Sequence, residues 1–279
     1  MQKKILTVIV TSYNYEKYIK ENLDALTNQT CKDFDIIVID DGSSDNSVNI
    51  IKKYLKRHKN IKFLQHENGV NKGLCKTTLV ALEHVDTEYV AFCESDDYWD
   101  IDHVKNLLSF IKKHPEANMI FNKLEVKNYS SNPEYDSYTN STNISLAKLS
   151  GTNIFKLMTS NYMPTFSSAC IKTSELKKCD FNSFYPQYLD FWLWRQLCLK
   201  NKIFFVDNSI SYWRKHNESY DMKDNIKDTK SFLIASNNII LKNLNVSFIT
   251  NLKLNLFRFI LCKKLFIKRQ IKFIIKYYS

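Results

Sequence analysis

The sequence predicts an α/β fold: a mostly parallel, Rossmann-like sheet with flanking helices. Three observations predict it. Short apolar, β-branched runs alternate with segments of helical spacing over roughly the first hundred residues, the pattern of β-α-β units. Two of those runs, Phe34–Ile39 and Tyr89–Cys93, are followed at once or one residue later by acid and polar side chains, as strands do when they leave a sheet at one edge. Only 4 glycines occur in 279 residues, so neither a P-loop nor the glycine fingerprint of dinucleotide-binding sheets is present.

Taken in order, Lys4 to Val10 (KILTVIV) reads as a strand ending in the polar turn Thr11-Ser12-Tyr13-Asn14. Tyr18, Ile19, Leu23 and Leu26 recur at helical spacing between Glu16 and Gln29. Phe34 to Ile39 is a second strand and runs into Asp40-Asp41-Gly42-Ser43-Ser44-Asp45. There Gly42 permits a tight turn, and Asp41, Ser44 or Asp45 can cap the helix that starts near Ser47. Ile61 to Gln65 is a third strand, Asn68 to Lys72 a loop, and Lys76 to His84 a helix leading into the fourth strand. Ile101 to His114 is a helix stopped at Pro115, and Met119 to Val126 a strand. Tyr129 to Asn143, rich in Ser, Asn and Tyr, reads as a mobile loop. Apolar segments surround Phe155 and Ala169, Tyr185 to Trp194 opens a helix, and Ile203–Val206 and Ile210–Trp213 read as two short strands.

The stretch Glu94-Ser95-Asp96-Asp97-Tyr98-Trp99 organises the rest. Neighbouring side chains on a strand point to opposite faces, so Asp96 and Asp97 cannot both stay inside, and the chain must present them at the sheet's carboxyl edge. Ligands of open α/β sheets bind at that edge. Helix capping and cation binding are both open to this dipeptide on its own. Two acidic strand ends on one edge would repel a phosphate unless a cation intervened, which favours the metal.

The net charge of +11 sits in the tail: no acid follows Asp228, while ten Lys and Arg do. A nucleic-acid enzyme would place that charge round its site. From Leu252 to Tyr278, Lys264, Lys268, Lys272 and Lys276 form one helical row, with Phe259, Phe266, Phe273 and Tyr277 on the opposite side. This basic C-terminal helical tail suits an interfacial helix on an anionic membrane surface, or a helix packed on the domain. Seven scattered cysteines without a C-x-x-C pair argue for a reducing compartment. Ile5 to Val10 is too short for a signal core or a membrane span, so the expectation is a cytoplasmic protein, peripheral at the inner face of the plasma membrane.

TVIVTSYN, IDDGSSD and CESDDYW, with Leu189-Asp190-Phe191-Trp192-Leu193 and Tyr212-Trp213-Arg214-Lys215-His216-Asn217 downstream, resemble the family 2 glycosyltransferases of the GT-A fold. The resemblance covers roughly residues 5 to 220 and rests on five motifs in order and spacing. It implies a donor-binding half at 1–98, an acceptor-binding half at 99–220 and a C-terminal extension at 221–279. It also implies a nucleotide-diphosphate sugar donor, UDP-linked, a glycan or lipid-linked glycan acceptor, and Mg²⁺ or Mn²⁺. Thr11, Tyr13 and Asp40 would line the nucleoside pocket, with Tyr13 against the base. Ser95 and Asp96 would lie with the donor, Asp96 near the ribose. Asp97 and His216 would ligate the metal, Arg214 would close over the pyrophosphate, and Asp190 would be the general base of an inverting transfer. Where the family has an arginine this chain has Thr78, so one nucleotide contact is either missing or made by Lys72 or Lys76, and Leu189 stands before Asp190 instead of an acid. Trp192 and Trp194 read as core or as a sugar platform. A non-catalytic sugar-nucleotide or membrane-binding module on the same fold is the rival, and the presence of Asp97, Asp190 and His216 together speaks against it.

Overall fold

The computed structural model describes residues 4–130, 147, 150, 165–182, 186–198, 200–218, 231–233 and 235–236. Most of the segment from Tyr129 to Asn143, the segment around Phe155, Tyr185 and the basic tail 252–278 therefore lie outside the described residues. The chain divides into two compact units, Met1–Asp228 and Thr229–Ser279. In the second, residues 231–233 and 235–236 are helical. Among the described residues no helix is long and apolar enough to cross a membrane.

The first unit begins with β1 (Leu6–Ser12), α1 (Ile19–Thr27), β2 (Asp35–Asp40), α2 (Ser47–Leu55), β3 (Ile61–Gln65), α3 (Leu74–Glu83) and β4 (Tyr89–Phe92). Strands β3, β2, β1 and β4 lie side by side and parallel, as the alternation requires. Strands β1, β2 and β4 are buried on both faces, which explains why they read as continuous apolar runs instead of alternating ones, while β3 at the edge is only partly buried. Leu6, Val8 and Val10 of β1 pack with Ile19, Leu23 and Leu26 of α1 and with Ile51 of α2. Helix α3 packs against β1 and β2.

Beyond β4 the chain forms β5 (Tyr98–Trp99), α4 (His103–Lys113), β6 (Met119–Asn128), β7 (Ala169–Lys172), the short α5 (Thr173–Leu176), α6 (Leu189–Cys198) and β8 (Ile203–Lys215). These complete one eight-stranded sheet in the order β3-β2-β1-β4-β7-β6-β8-β5. It is mixed in this half: β7 runs antiparallel to both β4 and β6, β8 runs parallel to β6, and β5 runs antiparallel to β8.

Some expectations change. The two short strands after Ile203 are one 13-residue strand. Its pairing jumps from Val206↔Asn122 to Ile210↔Lys123, so residues 207–209 bulge, and these polar residues look like a break in the sequence. Helix α1 starts at Ile19 and not at Glu16, because Tyr15–Tyr18 form a turn in which the Tyr18 and Ile19 N–H groups donate to Tyr15 O. Asp41 and Ser44 do not cap α2; Asp45 accepts from the Ser47 N–H at 2.9 Å instead. Trp192 and Trp194 are core, and Trp194 packs edge-on against Phe121 and Phe166.

Candidate active site

The site lies where β1, β2 and β4 end together, opposite the last residues of β8. Register pairs Ser12 with Asp40, and the next residue, Asp41, donates its N–H back to Ser12 O at 2.8 Å. Asp40 is fully buried. Its Oδ1 accepts from the N–H groups of Gly42 and Ser43, and its Oδ2 accepts from the Ser43 hydroxyl at 2.6 Å. The carboxylate read as a base contact therefore also shapes its own turn. Asp41 reaches the other way, accepting from the Lys72 N–H at 2.7 Å and the Gly73 N–H at 3.0 Å, with His66 Nε2 3.3 Å away. Gly42, at φ +81°, lets the 66–73 loop come close: a Cβ there would lie 2.6 Å from Gly69 O.

Across this turn the 13–16 segment is laced to residues 43–46. Asn14 Oδ1 accepts from the Ser44 N–H, and the Asn14 N–H donates to Ser43 Oγ. The Glu16 N–H donates to Asp45, and Glu16 accepts from the Asn46 N–H. Thr11 is half-buried, while Tyr13 is 46% exposed and free to stack on a flat ligand. Lys72 and Lys76 are exposed.

The second wall is the turn from Glu94 to Asp97, closed by the Asp97 N–H donating to Glu94 O at 2.8 Å. Asp97 is buried, and its Oδ1 accepts from the Arg214 N–H at 2.8 Å. The Thr165 hydroxyl donates to Glu94 Oε2 at 2.7 Å and lies 3.3 Å from Asp97 Oδ2. His216 Nε2 lies 3.2 Å from Asp96 Oδ2, with its ring against Tyr18. Asp97 and His216, read together as metal ligands, thus contact different groups, and it is Asp96 that meets the histidine. The Arg214 guanidinium donates to Glu21 Oε2 at 2.7 Å and sits over the rings of Tyr18, Tyr98 and Tyr129.

The turn gathers carboxylates whose charges repel one another. Burial and the neighbouring Asp96 charge push the Asp97 carboxyl up to about 8, against a weaker pull from Ser167, the Arg214 N–H and Lys215. Burial, followed by the charges of Asp97 and Asp96, holds Glu94 well above the usual carboxylate range, and Asp190 adds to that rise. Asp190, half-buried in the first turn of α6, is thus near enough for its charge to bear on Glu94. Ser12 Oγ, Ser95 Oγ and Arg214 Nε are buried here with no hydrogen-bond partner among the described residues. Such atoms line places where a ligand or water completes the bonding. Repelling carboxylates and orphaned polar atoms suit a divalent ion with a polar ligand. No three His, Cys, Asp or Glu side chains form a ready cage among the described residues. An ion here would draw the rest of its oxygen shell from phosphate and water.

Sequence reasoning passed over Glu94, Thr165, Glu21 and Asn22. Glu94 adjoins the acidic pair and could have been found from that position. Thr165 and the two α1 residues belong to no local pattern, since only the tertiary fold brings them to the turn.

A family model described as "Glycosyl transferase family 2" matches residues 7–168, more than half of the chain. The chain belongs to glycosyl transferase family 2. Among relatives of this family, glycosyltransferase GlyA of Streptococcus pneumoniae is 35% identical over 109 residues, covering 39% of this chain and 15% of that protein. The poly(ribitol-phosphate) β-N-acetylglucosaminyltransferase TarS of Staphylococcus aureus is 38% identical over 110 residues, covering 39% of this chain and 19% of TarS. The chain thus spans less than a fifth of the length of either. An uncharacterized glycosyltransferase of Methanocaldococcus jannaschii, MJ1057, aligns over 83% of both chains at 24% identity. In structure, S. aureus TarS 1-349 in complex with UDP-GlcNAc superposes with a TM-score of 0.65 at 25% identity, covering 87% of this chain and 68% of that one. The Pyrobaculum calidifontis mannosyltransferase PcManGT, in complex with GDP-Man and Mn²⁺, gives 0.62 at 17% identity, covering 86% and 64%. The family 2 chain has the GT-A fold of these neighbours.

Proposed function

We propose that this family 2 chain is an inverting glycosyltransferase that moves a sugar from a UDP-linked donor to a hydroxyl of a glycan or lipid-linked glycan. One observation carries the reading. A buried, mutually repelling carboxylate turn, Glu94 to Asp97, opens at the sheet's carboxyl edge, and the charge of Asp190 bears on it from another element. The solved relative that holds UDP-GlcNAc supports the choice of donor.

Tyr13 stacks on the base, Thr11 and Asp40 border the nucleoside, and Ser95 and Asp96 face the ribose. Asp97, with Asp96 or His216, would hold Mg²⁺ or Mn²⁺. That ion supplies positive charge opposite the leaving diphosphate. Arg214, Lys72 and Lys76 add cationic side chains on the phosphate side. Asp190 takes the proton of the acceptor hydroxyl as its oxygen forms a bond to the anomeric carbon. The bond from that carbon to the diphosphate oxygen breaks, UDP leaves, and attack from the opposite face inverts the centre. Asp190 suits this task better than Asp97, whose oxygens would be committed to the ion. The basic tail 252–278 would bring the enzyme to anionic lipid.

The test is UDP release from a panel of UDP-sugars with Mn²⁺, with and without EDTA. Metal-dependent release that ends in Asp97→Ala supports the reading. Tight sugar-nucleotide binding without release in the presence of any acceptor supports a non-catalytic module instead.

A further inference from the structure

Helix α1 carries a contact to the acidic turn that the reaction scheme does not use. Asn22 is buried, and its Nδ2 donates to Glu94 O at 2.9 Å and to Asp97 O at 2.9 Å, which uses both of its N–H groups. Cys93 Sγ, at 3.2 Å, lies beside them. Carbonyl oxygens only accept, so the amide must present its NH₂ to the turn. Its Oδ1 is then left buried with no partner among the described residues.

The unmade acceptor is a cost, but the amide satisfies two buried carbonyls that a leucine of similar size would leave without this donor. What the amide secures is geometry. The two carbonyls it holds bracket Ser95 and Asp96, so both ends of the turn are tied to one rigid helix. The adjacent residue, Glu21, holds the Arg214 side chain. Two consecutive α1 residues thus reach both the acidic turn and the strand that meets it.

We propose that Asn22 is a positioning residue for donor binding: it fixes the Glu94–Asp97 backbone so that Asp96 and Asp97 are set for the ion and the diphosphate. This rests on the donor reading above. Outer partners of metal ligands typically contribute about 10- to 100-fold in affinity.

The experiment is calorimetric titration of UDP into the full chain with saturating Mn²⁺, then of Mn²⁺ with saturating UDP, alongside thermal melts. Asn22→Leu, which takes the donor from two buried carbonyls, should melt below the wild-type temperature, and its folded fraction should bind UDP and Mn²⁺ about 10- to 100-fold more weakly. A merely structural role would lower the melting temperature and leave the affinity of the folded fraction intact, and that result overturns the proposal. Should Asn22→Leu not fold, Asn22→Ala removes the donor without added bulk and must show the same loss of affinity. Wild type that binds while both variants match it removes only the role of Asn22. Wild type that binds no UDP removes the donor reading and the proposal with it.

Discussion

Arg214 meets Asp97 with its backbone and Glu21 with its side chain. The N–H donates to Asp97 Oδ1 at 2.8 Å, and the guanidinium lies 2.7 Å from Glu21. An asparagine at 97 can accept the same N–H through its carbonyl oxygen, so Asp97→Asn keeps the geometry and replaces a carboxyl whose ionised form is disfavoured by burial and by Asp96 with a group that never ionises. Urea unfolding in EDTA at pH 7 should show the variant more stable by about 1–3 kcal/mol, while Mn²⁺-dependent UDP binding is lost. A variant less stable than wild type would mean that the turn is not electrostatically strained.

Asp190 stands apart from the hydrogen bonds that hold Asp97, and this separates proton transfer from donor binding. Asp190→Asn should leave the UDP affinity in Mn²⁺ near wild type and lower kcat by about 10²–10⁴. Calorimetry and a coupled UDP-release assay on the same preparation check both halves. Full turnover by Asp190→Asn would remove the residue from the base role.

Local pattern made the first half of the fold legible and left most of the second half obscure. Strands β1, β2 and β4 are buried on both faces, so unbroken apolar runs revealed them, and the acids after β2 and β4 revealed the edge where the sheet ends. The antiparallel entry of β7 between β4 and β6 is a long-range pairing that no periodicity encodes. The polar bulge in β8 hid a continuous strand for the same reason. In the site, Asp96 and Asp97 were legible because two acids cannot share a buried strand. Which of them meets His216 was not, because that depends on how β8 approaches the turn. Asn22 carried no signal at all: it is one amide on an amphipathic helix, and its role exists only once α1 lies under the turn.

His103 gives the fold a pH dependence of known sign. It is buried, stacks on Trp99 at 3.9 Å, and its Nδ1 lies 2.9 Å from Ile210 O. Burial lowers its pKa from 6.5 to about 3. Between those values the unfolded chain takes up a proton that the folded chain refuses, so the stability is present above pH 6.5 and is lost as pH falls. The loss is about 1.4 kcal/mol per pH unit, or about 2 kcal/mol between pH 6.5 and 5. Glu94 and Asp97, raised in the fold, act in the opposite direction, so the histidine must be isolated by difference. His103→Phe can keep the stack without titrating. The stability gap between wild type and this variant, from urea midpoints, should narrow by about 2 kcal/mol from pH 7 to pH 5. A constant gap would mean that His103 titrates in the fold as it does in the unfolded chain.

Gly42 and Gly69 separate backbone conformation from close approach. Both have positive φ, +81° and +60°. A Cβ on Gly69 meets nothing within 4 Å, so Gly69→Ala carries only the conformational cost, about 1–2 kcal/mol. A Cβ on Gly42 would lie 2.6 Å from Gly69 O and 2.7 Å from Asn71 N, backbone atoms that cannot swing away. Gly42→Ala should therefore add an overpacking cost of about 1–3 kcal/mol to the same conformational one. The displaced loop would also pull the Lys72 and Gly73 N–H groups from Asp41, so UDP affinity should fall in Gly42→Ala and hold in Gly69→Ala. Urea unfolding and UDP calorimetry on the two variants decide it. Equal destabilisation and equal affinity would show that the 66–73 loop does not rest on the Gly42 turn.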